Sequence, residues 1–458
     1  MQISPARRAA FHILRRVEDE QAYASVLLAG ADVDLNSKDR ALCRQLVLGA
    51  LRRQLWLDRT VEHFAGRKIG SFDLAVVIAL RLGLYQLRFL SRIPASAAIN
   101  ESVNLVKAAR VKSAAGLVNA ILRRATREPN YDPAADVTDE IDRVSIQSSH
   151  PRWLIERWAD QFGSAEATAI AHANNEHGPV SFRLTSKAQR TAETIAELRA
   201  AGVELAASAI APDAWRLRDS VGCDEAGSDA GAPQARMPAL LRKLADDGLI
   251  YFQDEGSQLV AHLLDARDEM RVLDVCAAPG SKSTLIASLA PASEIVAADL
   301  YEHRVRTMKQ LAGRQEASHI TFVIHDATKP LPFAPRSFDR VLVDAPCSGT
   351  GTLRHNPEIR WRLKPSDFPD LTGKQKLILK NAADAVRNGG LLLYSTCSLE
   401  TEENESIASN FLEHHNDFEP APLSARADLI TRIGAVRTWP HRDSADGFFA
   451  MAFRRKTN

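Results

Sequence analysis

Hydrophobic positions follow two different spacings along the chain, and the change between them divides the sequence. Over residues 1–128 apolar side chains recur three or four positions apart, which predicts amphipathic helices. From about residue 248 short apolar runs alternate with helix-like stretches, the pattern of a parallel β-sheet covered by helices. Strands are predicted at 272–275, 295–298, 320–324, 340–343 and 391–394, with a last one within 447–453.

A mixed region separates these two parts. Residues 129–145 are rich in Pro and Asp and are predicted to be a linker. Helices are then predicted at 153–162, 165–173 and 191–201, and strands at 180–184 and 215–217. The Gly- and Ala-rich run 222–233 shows no periodicity and is predicted to be a flexible insertion, with Cys223 incidental. The fold class is therefore multidomain: an all-α domain over 1–130, a small α+β, RRM-like subdomain over 145–245, and a Rossmann-like α/β domain over 248–458.

Composition limits the class of protein. The 458 residues are 45% hydrophobic and 25% charged, as in ordinary globular proteins. No apolar run approaches the roughly 20 residues that span a bilayer. The five cysteines are an odd number spread along the chain, which favours a reducing compartment over a disulfide framework. No cysteine and histidine spacing indicates zinc. We expect a cytoplasmic monomer with no metal and no membrane partner.

The net charge of +1 hides an asymmetry. Residues 1–130 carry 21 Lys and Arg against 11 Asp and Glu, whereas residues 131–270 carry 13 against 24. A basic block of this size is typical of a nucleic-acid-binding module, although a solvated helical surface explains it as well. The candidate phosphate contacts are Arg7, Arg8, Arg15, Arg16, Arg52 and Arg53.

Two cysteines follow predicted strands of the α/β region. Cys347 lies in the segment 344–349, which begins with Asp344, and Cys397 lies in the segment 395–398. Ligands bind at the carboxyl ends of parallel strands, so both thiols and the carboxylate are expected at one site. Few reactions need two thiols that do not form a disulfide, and methylation at carbon 5 of a pyrimidine is one of them. Cys43 and Cys276 are interpreted as small core hydrophobes.

That chemistry gives each group a possible role. A thiolate adds at carbon 6 of cytosine, and the resulting enamine attacks the methyl donor. The proton at carbon 5 and the thiol must then leave. Asp344 is the candidate to stabilise the adduct near ring nitrogen 3. The residues alone do not rank Cys347 against Cys397 as the nucleophile.

Polar residues after the first three predicted strands indicate a cofactor pocket. The first strand leads into a turn of small residues and then a helix, which lets a ligand approach the backbone. The turn is not GxGxxG, so a dinucleotide is disfavoured. Asp299 follows the second strand and can accept from ribose hydroxyls, and Asp326 follows the third and can reach an adenine. Each acid alone could be a helix cap, but their order favours an adenosine pocket of the kind that holds S-adenosylmethionine.

Several motifs carry a resemblance to known families. The segments 276–282, 344–349, 356–361, 396–398, 402–404 and 446–449 resemble those of RNA (cytosine-5)-methyltransferases. The helical region is similar to the antitermination factor NusB at Asp39-Arg40, Leu48-Gly49, Ile93-Pro94, 98–101 and 116–120. A NusB-like domain joined to such a catalytic domain resembles the bacterial small-subunit (16S) ribosomal RNA cytosine-5 methyltransferases of the Sun/Fmu type.

The resemblance implies an activity and a set of site residues. It implies methylation of a specific cytosine in 16S ribosomal RNA through a covalent intermediate, with Cys397 as nucleophile and Cys347 in product release. DNA enzymes use the Pro-Cys thiol as nucleophile, so the reversed assignment stays open. The cofactor residues implied are Cys276, Ala277, Ala278, Pro279, Gly280, Ser281, Lys282, Asp299, Asp326 and Asp344. Ser281 stands where the family usually has glycine, and it requires an ordinary backbone angle.

Alternative functions remain at this point. The substrate could be transfer RNA, or the chain could be a NusB-like RNA-binding adaptor whose methyltransferase domain is inactive. A DNA cytosine methyltransferase is a third interpretation, although the helical domain and the Thr-Cys segment favour RNA, and no DNA partner is expected.

Overall fold

The computed structural model describes residues 3–31, 35–188, 191–218 and 239–457. The predicted insertion at 222–233 and Cys223 lie outside the described residues. The chain forms two compact units. The described residues of the first, the helical unit, lie in Met1–His177 and Leu353–Arg362. The second, the sheet unit, comprises Gly178–Asp219, Pro238–Thr352 and Leu363–Asn458.

The described residues form eighteen α-helices and twelve strands. The helices are α1 (Pro5–Asp19), α2 (Ala24–Ala31), α3 (Ser37–Arg52), α4 (Gln54–Ala65), α5 (Leu74–Phe89), α6 (Ala95–Ala108), α7 (Ala115–Arg127), α8 (Glu140–Ser148), α9 (Arg152–Phe162), α10 (Ser164–Ala173), α11 (Thr191–Ala200), α12 (Ala239–Asp246), α13 (Glu255–Leu263), α14 (Ser281–Leu289), α15 (Glu302–Arg314), α16 (Ile359–Arg362), α17 (Phe368–Ala385) and α18 (Glu405–His414). The strands are β1 (Ser181–Leu184), β2 (Leu205–Ala207), β3 (Ala214–Leu217), β4 (Ile250–Phe252), β5 (Arg271–Asp274), β6 (Glu294–Asp299), β7 (Ile320–Ile324), β8 (Phe338–Asp344), β9 (Val386–Thr396), β10 (Phe418–Ala421), β11 (Val436–Arg437) and β12 (Phe449–Arg455).

The helical unit contains α1 to α10 and α16, with a core built from the apolar stripes that predict its helices. Asn36 begins α3 as an N-cap, accepting from the N–H groups of Lys38 and Asp39. Close packing also selects glycine: a Cβ on Gly49 would come within 2.0 Å of the Tyr85 ring. The predicted all-α architecture of this region is confirmed.

The predicted linker at 129–145 is wrong in its last third, where α8 begins. Asp139 is the N-cap of α8, and its carboxylate accepts from the N–H of Asp142. Glu140 and Asp142 add negative charge to the first turn, where the helix dipole favours it. An aspartate run that resembles linker composition is therefore a helix start.

The segment 353–362 belongs to the helical unit although its neighbours in sequence belong to the sheet unit. The fully buried Arg360 donates to the carbonyls of Ser148 and Ser149 and to the side chain of Asn175. Arg362 donates to three carbonyls, those of Val17, Gln21 and Ala22. The 356–361 motif is thus an anchor in the helical unit.

A small antiparallel sheet in the sheet unit has the order β2-β3-β1-β4. Strand β4 pairs with β1, with Phe252 opposite Phe182. It lies beyond the predicted boundary at 245–248, so the start of the predicted α/β domain contributes an edge to this sheet. Helices α8 to α10, from the start of the predicted middle region, lie in the helical unit.

The large sheet of the sheet unit has the order β10-β12-β9-β8-β5-β6-β7, and β11 pairs with β12. The five strands from β9 to β7 in this order are parallel, whereas β12 runs antiparallel to β9. Apolar clusters cover both faces of the sheet. This is the predicted Rossmann-like fold. The strand order reverses at β5, between β6 and β8, and such a switch point is where ligands bind in open α/β sheets.

Within the described residues, no helix is long and apolar enough to cross a bilayer.

Candidate active site

Strands β8 and β9 bring the two cysteines together. The strands are parallel neighbours, and Asp344 lies opposite Ser395 in their register. Each strand ends just before its cysteine, and the sulfur atoms of Cys347 and Cys397 are 3.4 Å apart. A disulfide bond is about 2.05 Å long, so these are two separate thiols in hydrogen-bond contact.

The contact between the sulfurs distinguishes the two thiols. The hydrogen bond with Cys397, together with burial, raises the pKa of Cys347 well above its ordinary value. The negative charge of Glu403 acts in the same direction. Cys347 therefore keeps its proton at neutral pH and can donate it toward the Cys397 sulfur.

Lys282 and Asp344 form an ion pair beside the thiols. Lys282 Nζ is 2.6 Å from Asp344 Oδ2, and Ser395 donates to the other carboxylate oxygen at 2.8 Å. Burial disfavours the charge of Lys282, but attraction to Asp344, their hydrogen bond and the nearby Cys397 outweigh it, so the pKa of Lys282 is raised. Lys282 therefore keeps its positive charge at neutral pH and interacts electrostatically with Cys397, and such a charge attracts a thiolate.

Asp274, at the end of β5, is a buried acid that the sequence interpretation overlooks. Ser283 donates to its Oδ2 at 2.7 Å, while Oδ1 is buried with no hydrogen-bond partner among the described residues. Burial raises the pKa of Asp274 to about 7, and the charge of Asp344 adds to the shift. The signal available in the sequence is its position, since it ends a strand as Asp299 does.

The turn after β5 has the shape that a close ligand approach requires. Gly280 has φ +101°, and a Cβ there would lie 3.4 Å from the Met308 backbone. Ser281 begins α14 with no positive φ, so it takes an ordinary backbone angle as expected. The Cys276 thiol is half-buried, and burial, with the surrounding aspartates, raises its pKa well above the usual value. Cys276 is therefore neutral.

The acids after β6 and β7 are placed differently. Asp299 is buried and accepts the Ala278 N–H, which ties the end of β6 to the turn after β5. Asp326 accepts from both the N–H and the hydroxyl of Thr328, and these two bonds lower its pKa. Asp326 is therefore a carboxylate at neutral pH, as an acceptor for a donor group of the cofactor must be.

Arg183 supports the turn from the small sheet. It is fully buried on β1 and donates to the Ser281 carbonyl at 3.1 Å and to the Thr284 hydroxyl at 2.9 Å. Burial lowers its pKa to about 10, so it remains charged at neutral pH. Nothing in the sequence pattern identifies this contact, because 98 residues separate Arg183 from Ser281.

Glu403 lies against both cysteine segments. Its carboxylate accepts the Ser348 N–H at 2.9 Å and the Gln375 amide at 2.9 Å. It also accepts the hydroxyls of Ser348 and Ser398, each at 2.5 Å. In the sequence, the 402–404 segment is recognisable only as a family motif, and no pattern there predicts a role for Glu403.

The candidate phosphate contacts of the helical unit need correction. Arg7 is buried and pairs with Glu101 and Gln86, and Arg52 is buried and donates to the Arg354 carbonyl. Neither can present its charge to RNA, so these two predictions are wrong. The apolar faces of α1 and α3 are wide enough to include them, which the charge count does not show.

The other candidates differ in exposure and pairing. Arg53 is half-buried and donates to the Gln147 carbonyl, while Arg15 and Arg16 pair with Asp19 and Glu20. Arg8 is exposed.

The connection between α6 and α7 carries more available charge. Arg110 and Lys112 are exposed and Lys107 is half-buried. Among the described residues none of these three forms an ion pair with an acid. No acid occurs from 102 to 127, so this stretch is a basic surface by sequence as well.

Comparison with known proteins places this geometry in a family. The model of the 16S rRNA methyltransferase RsmB/F family matches residues 261–454, the NusB family model matches 4–127, and a ferredoxin-like domain of RsmF/B-like methyltransferases matches 150–224. A probable ribosomal RNA small subunit methyltransferase B of Bacillus subtilis is 34% identical over 100% of both chains. The chain belongs to the 16S rRNA methyltransferase RsmB/F family.

Other relatives of this RsmB/F family member agree. The ribosomal RNA small subunit methyltransferase B of Erwinia tasmaniensis is 31% identical, with 96% of each chain covered. The crystal structure of PH0851 has a TM-score of 0.81 at 26% identity and covers 99% of this chain and 100% of its own. The resemblance to NusB and to RNA cytosine-5 methyltransferases is therefore confirmed.

Family membership gives this RsmB/F chain its reaction class. It is an RNA cytosine-5 methyltransferase that uses S-adenosylmethionine. The sheet unit fits this methyl donor. Large apolar side chains are exposed at the ends of β6 and β7, with Leu300 47% and Ile324 54% accessible, beside Asp299 and Asp326. An apolar surface flanked by carboxylates suits an adenine and its ribose.

Proposed function

We propose that the chain methylates carbon 5 of one cytosine in 16S ribosomal RNA through a covalent bond between Cys397 and the base. The observation that carries the proposal is the pair of unlinked thiols 3.4 Å apart at the ends of β8 and β9. The Lys282–Asp344 ion pair lies beside them. The matched relatives supply the choice of ribosomal RNA.

Cys397 is the proposed nucleophile. Cys397 interacts electrostatically with the Lys282 charge, and a thiolate there forms a bond to carbon 6 as the electrons of the 5,6 double bond move into the ring. Asp344 can accept hydrogen bonds from the 4-amino group and from a protonated nitrogen 3. Its bonds to Lys282 and Ser395 leave acceptor sites, since a carboxylate offers about four.

Cys347 is the proposed release residue. S-adenosylmethionine would supply an electrophilic methyl group to carbon 5, and the sulfur–methyl bond would break to leave S-adenosylhomocysteine. A base then accepts the proton from carbon 5, the 5,6 double bond forms again, and the bond from carbon 6 to the Cys397 sulfur breaks. Cys347 holds its proton and can donate it in a hydrogen bond toward that sulfur, so it can stabilise the departing thiolate.

The cofactor residues remain a proposal at the level of single side chains. We assign the donor to the turn 276–282, with Asp299 for the ribose hydroxyls and Asp326 for the adenine, and with Asp344 at the methyl end. The buried, unpaired Oδ1 of Asp274 lies at the start of the same turn and adds this residue to the assigned set. The target cytosine must leave its stack to reach thiols that are only partly exposed.

The test is transfer of labelled methyl groups from S-adenosylmethionine to unmodified 16S ribosomal RNA. We expect 5-methylcytosine from the wild type and none from Cys397→Ala. Cys347→Ala is expected to leave a protein–RNA adduct that survives denaturation, because release is slowed. If Cys347→Ala lost the adduct while Cys397→Ala kept it, the reversed assignment would hold.

Substrate choice is tested in the same assay. Transfer RNA and DNA of matched sequence are expected to take up little label. Label on transfer RNA alone would replace the ribosomal substrate, and label on DNA alone would contradict the RNA assignment.

A further inference from the structure

Glu403 joins the two cysteine segments through the residues that directly follow each thiol. Ser348 comes after Cys347, and Ser398 comes after Cys397. The carboxylate accepts from the Ser348 N–H and hydroxyl and from the Ser398 hydroxyl. One side chain therefore bonds to both turns, although the turns are 50 residues apart in sequence.

The surroundings of Glu403 are unusual for a carboxylate. The residue is fully buried, and among the described residues no cation forms an ion pair with it. Neutral donors satisfy it: two hydroxyls, one peptide N–H and the amide of Gln375 on α17. A buried carboxylate without a cation is costly unless several hydrogen bonds compensate. The hydrogen bonds to the groups that it connects therefore stabilise the Glu403 carboxylate in this buried position.

Other contacts also join the two turns: the hydroxyl oxygens of Ser348 and Ser398 are 3.0 Å apart, and the Thr350 hydroxyl lies 3.4 Å from each of them. The Ala345 N–H donates to the Ser395 carbonyl, and the Gly351 N–H donates to the Cys397 carbonyl. These fix the backbone before Cys347 and several residues after it. Between them the turn at Cys347 and Ser348 is held by the Glu403 carboxylate together with these hydroxyl contacts, and Gln375 also donates to the Pro346 carbonyl.

We propose that Glu403 is a positioning residue for the reaction: its carboxylate fixes the turn after Cys347 against the turn after Cys397 and so sets the distance between the two sulfurs. This inference rests on the proposed two-thiol chemistry. It assigns Glu403 no contact with RNA or with S-adenosylmethionine. The two cysteines can act on one base only if their sulfurs stay close together, and the Glu403 carboxylate accepts hydrogen bonds from both turns.

Two substitutions distinguish the loss of the Glu403 charge from the loss of its hydrogen bonds. In Glu403→Gln the carbonyl oxygen can keep the bonds from the Ser348 N–H and Gln375, and the new amide can donate to the two hydroxyls, which also accept. Glu403→Gln should therefore retain the connection. Glu403→Ala removes all four bonds. Glu405→Ala is the matched control, since Glu405 pairs with Arg437 instead of with the two turns.

The first readout is the distance between the thiols, measured without catalysis. Diamide oxidises the two thiols to a disulfide and takes up the two hydrogens itself, and mass spectrometry of the linked peptides gives the rate. We expect Glu403→Ala to form the Cys347–Cys397 disulfide about tenfold more slowly or worse, because the effective concentration of one thiol at the other falls. Glu403→Gln and Glu405→Ala should react at rates near that of the wild type.

The second readout is turnover. We expect kcat of Glu403→Ala to fall about a hundredfold, the size of effect that a misplacement near 1 Å can cause, with KM for RNA little changed. Glu403→Gln should restore most of kcat. Thermal unfolding and binding of S-adenosylmethionine show whether Glu403→Ala is folded. Ser398→Ala is a second variant that keeps the carboxylate: it removes one of the four bonds to Glu403, together with the contacts of that hydroxyl to Ser348, Thr350 and the Glu400 N–H.

The outcomes distinguish this proposal from the proposed function. Disulfide formation at the wild-type rate in folded Glu403→Ala and in Ser398→Ala would overturn the positioning role, whatever the reaction mechanism. Failure of Glu403→Gln to rescue either readout would also overturn it, because the negative charge and not the connection would then matter. Full activity of Cys397→Ala would instead refute the two-thiol mechanism while leaving the distance measurement interpretable.

Discussion

Asp274 shows how burial at a single residue links the site to pH. Its carboxyl group has a pKa of about 7 in the folded protein against 3.8 as its ordinary value. Between these values the folded state binds more protons than the unfolded state, so stability falls as pH rises through this window. The full effect, on the order of 4 kcal/mol, is reached above pH 7. The buried position of Asp274 therefore lowers the free energy of unfolding at neutral and higher pH.

We expect Asp274→Asn to remove that dependence. The melting temperature of the variant minus that of the wild type should increase as the pH is raised from 5 to 8, because the amide is never charged. Asp268→Asn, at an exposed position, is the control and should show no such trend. A constant difference between Asp274→Asn and wild type across this range would contradict the assignment. Binding of S-adenosylmethionine to the variant tests the assigned contact separately.

At the scale of elements, the loop that follows β8 meets the loop that precedes β12 at two glycines. A Cβ on Gly351 would come within 2.0 Å of the Gly447 carbonyl oxygen and 2.9 Å of the Cys397 carbonyl oxygen. Both neighbours are backbone atoms and cannot rotate away. We expect Gly351→Ala to abolish most methyl transfer and to destabilise the protein by about 1–3 kcal/mol or more, the usual range for overpacking.

Gly373 provides the matched comparison for that substitution. It is exposed inside α17, and nothing lies within 4 Å of a Cβ built there. Gly373→Ala should stabilise the helix by up to about 1 kcal/mol and leave activity unchanged. Equal loss of activity in both variants would mean that the contact of Gly351 with Gly447 is not the cause.

The basic connection between α6 and α7 leads to a prediction about RNA binding. Replacing Lys107, Arg110 and Lys112 by Gln should weaken RNA binding and reduce the slope of log K against log salt by about 0.7–0.9 for each phosphate that is no longer neutralised. The control removes three paired cations, Arg15, Arg16 and Arg59, which face Asp19, Glu20 and Glu62. If the control substitutions weakened RNA binding more, the RNA-binding surface would instead lie on α1 and α4.

Elements with a strong period were predictable, and contacts between distant residues were not. The five parallel strands and the last strand were predicted close to their observed positions because each contains a run of apolar residues. The short strands β2, β4, β10 and β11 were missed, since two to four residues carry no clear alternation. Strand-end residues such as Cys347, Cys397 and Asp299 could be placed by topology. Glu403 and Arg183 could not, because their roles depend on partners that only the folded chain reveals.

Over the whole molecule, buried arginines contribute more to the stability of the fold than exposed arginines do. Arg360 is fully buried among carbonyl oxygens, and burial lowers its pKa to about 9, so it is still charged at neutral pH. Arg360→Met would leave several of those oxygens without a donor, and each costs about 1–3 kcal/mol. We expect a large drop in melting temperature. Arg152→Met should cause a much smaller one, although Arg152 pairs with three acids, because those pairs are exposed.

The placement of the 353–362 segment has a consequence for how this chain can be divided or recombined. A single cut in the sequence cannot release the helical unit intact, because ten of its residues are encoded between the two cysteines of the sheet unit. Exchange of the first 177 residues with those of a relative would therefore produce a chimera with mismatched parts. Such exchanges should succeed only when the short internal segment is transplanted together with the N-terminal region. The two stretches of sequence must therefore come from the same parent protein.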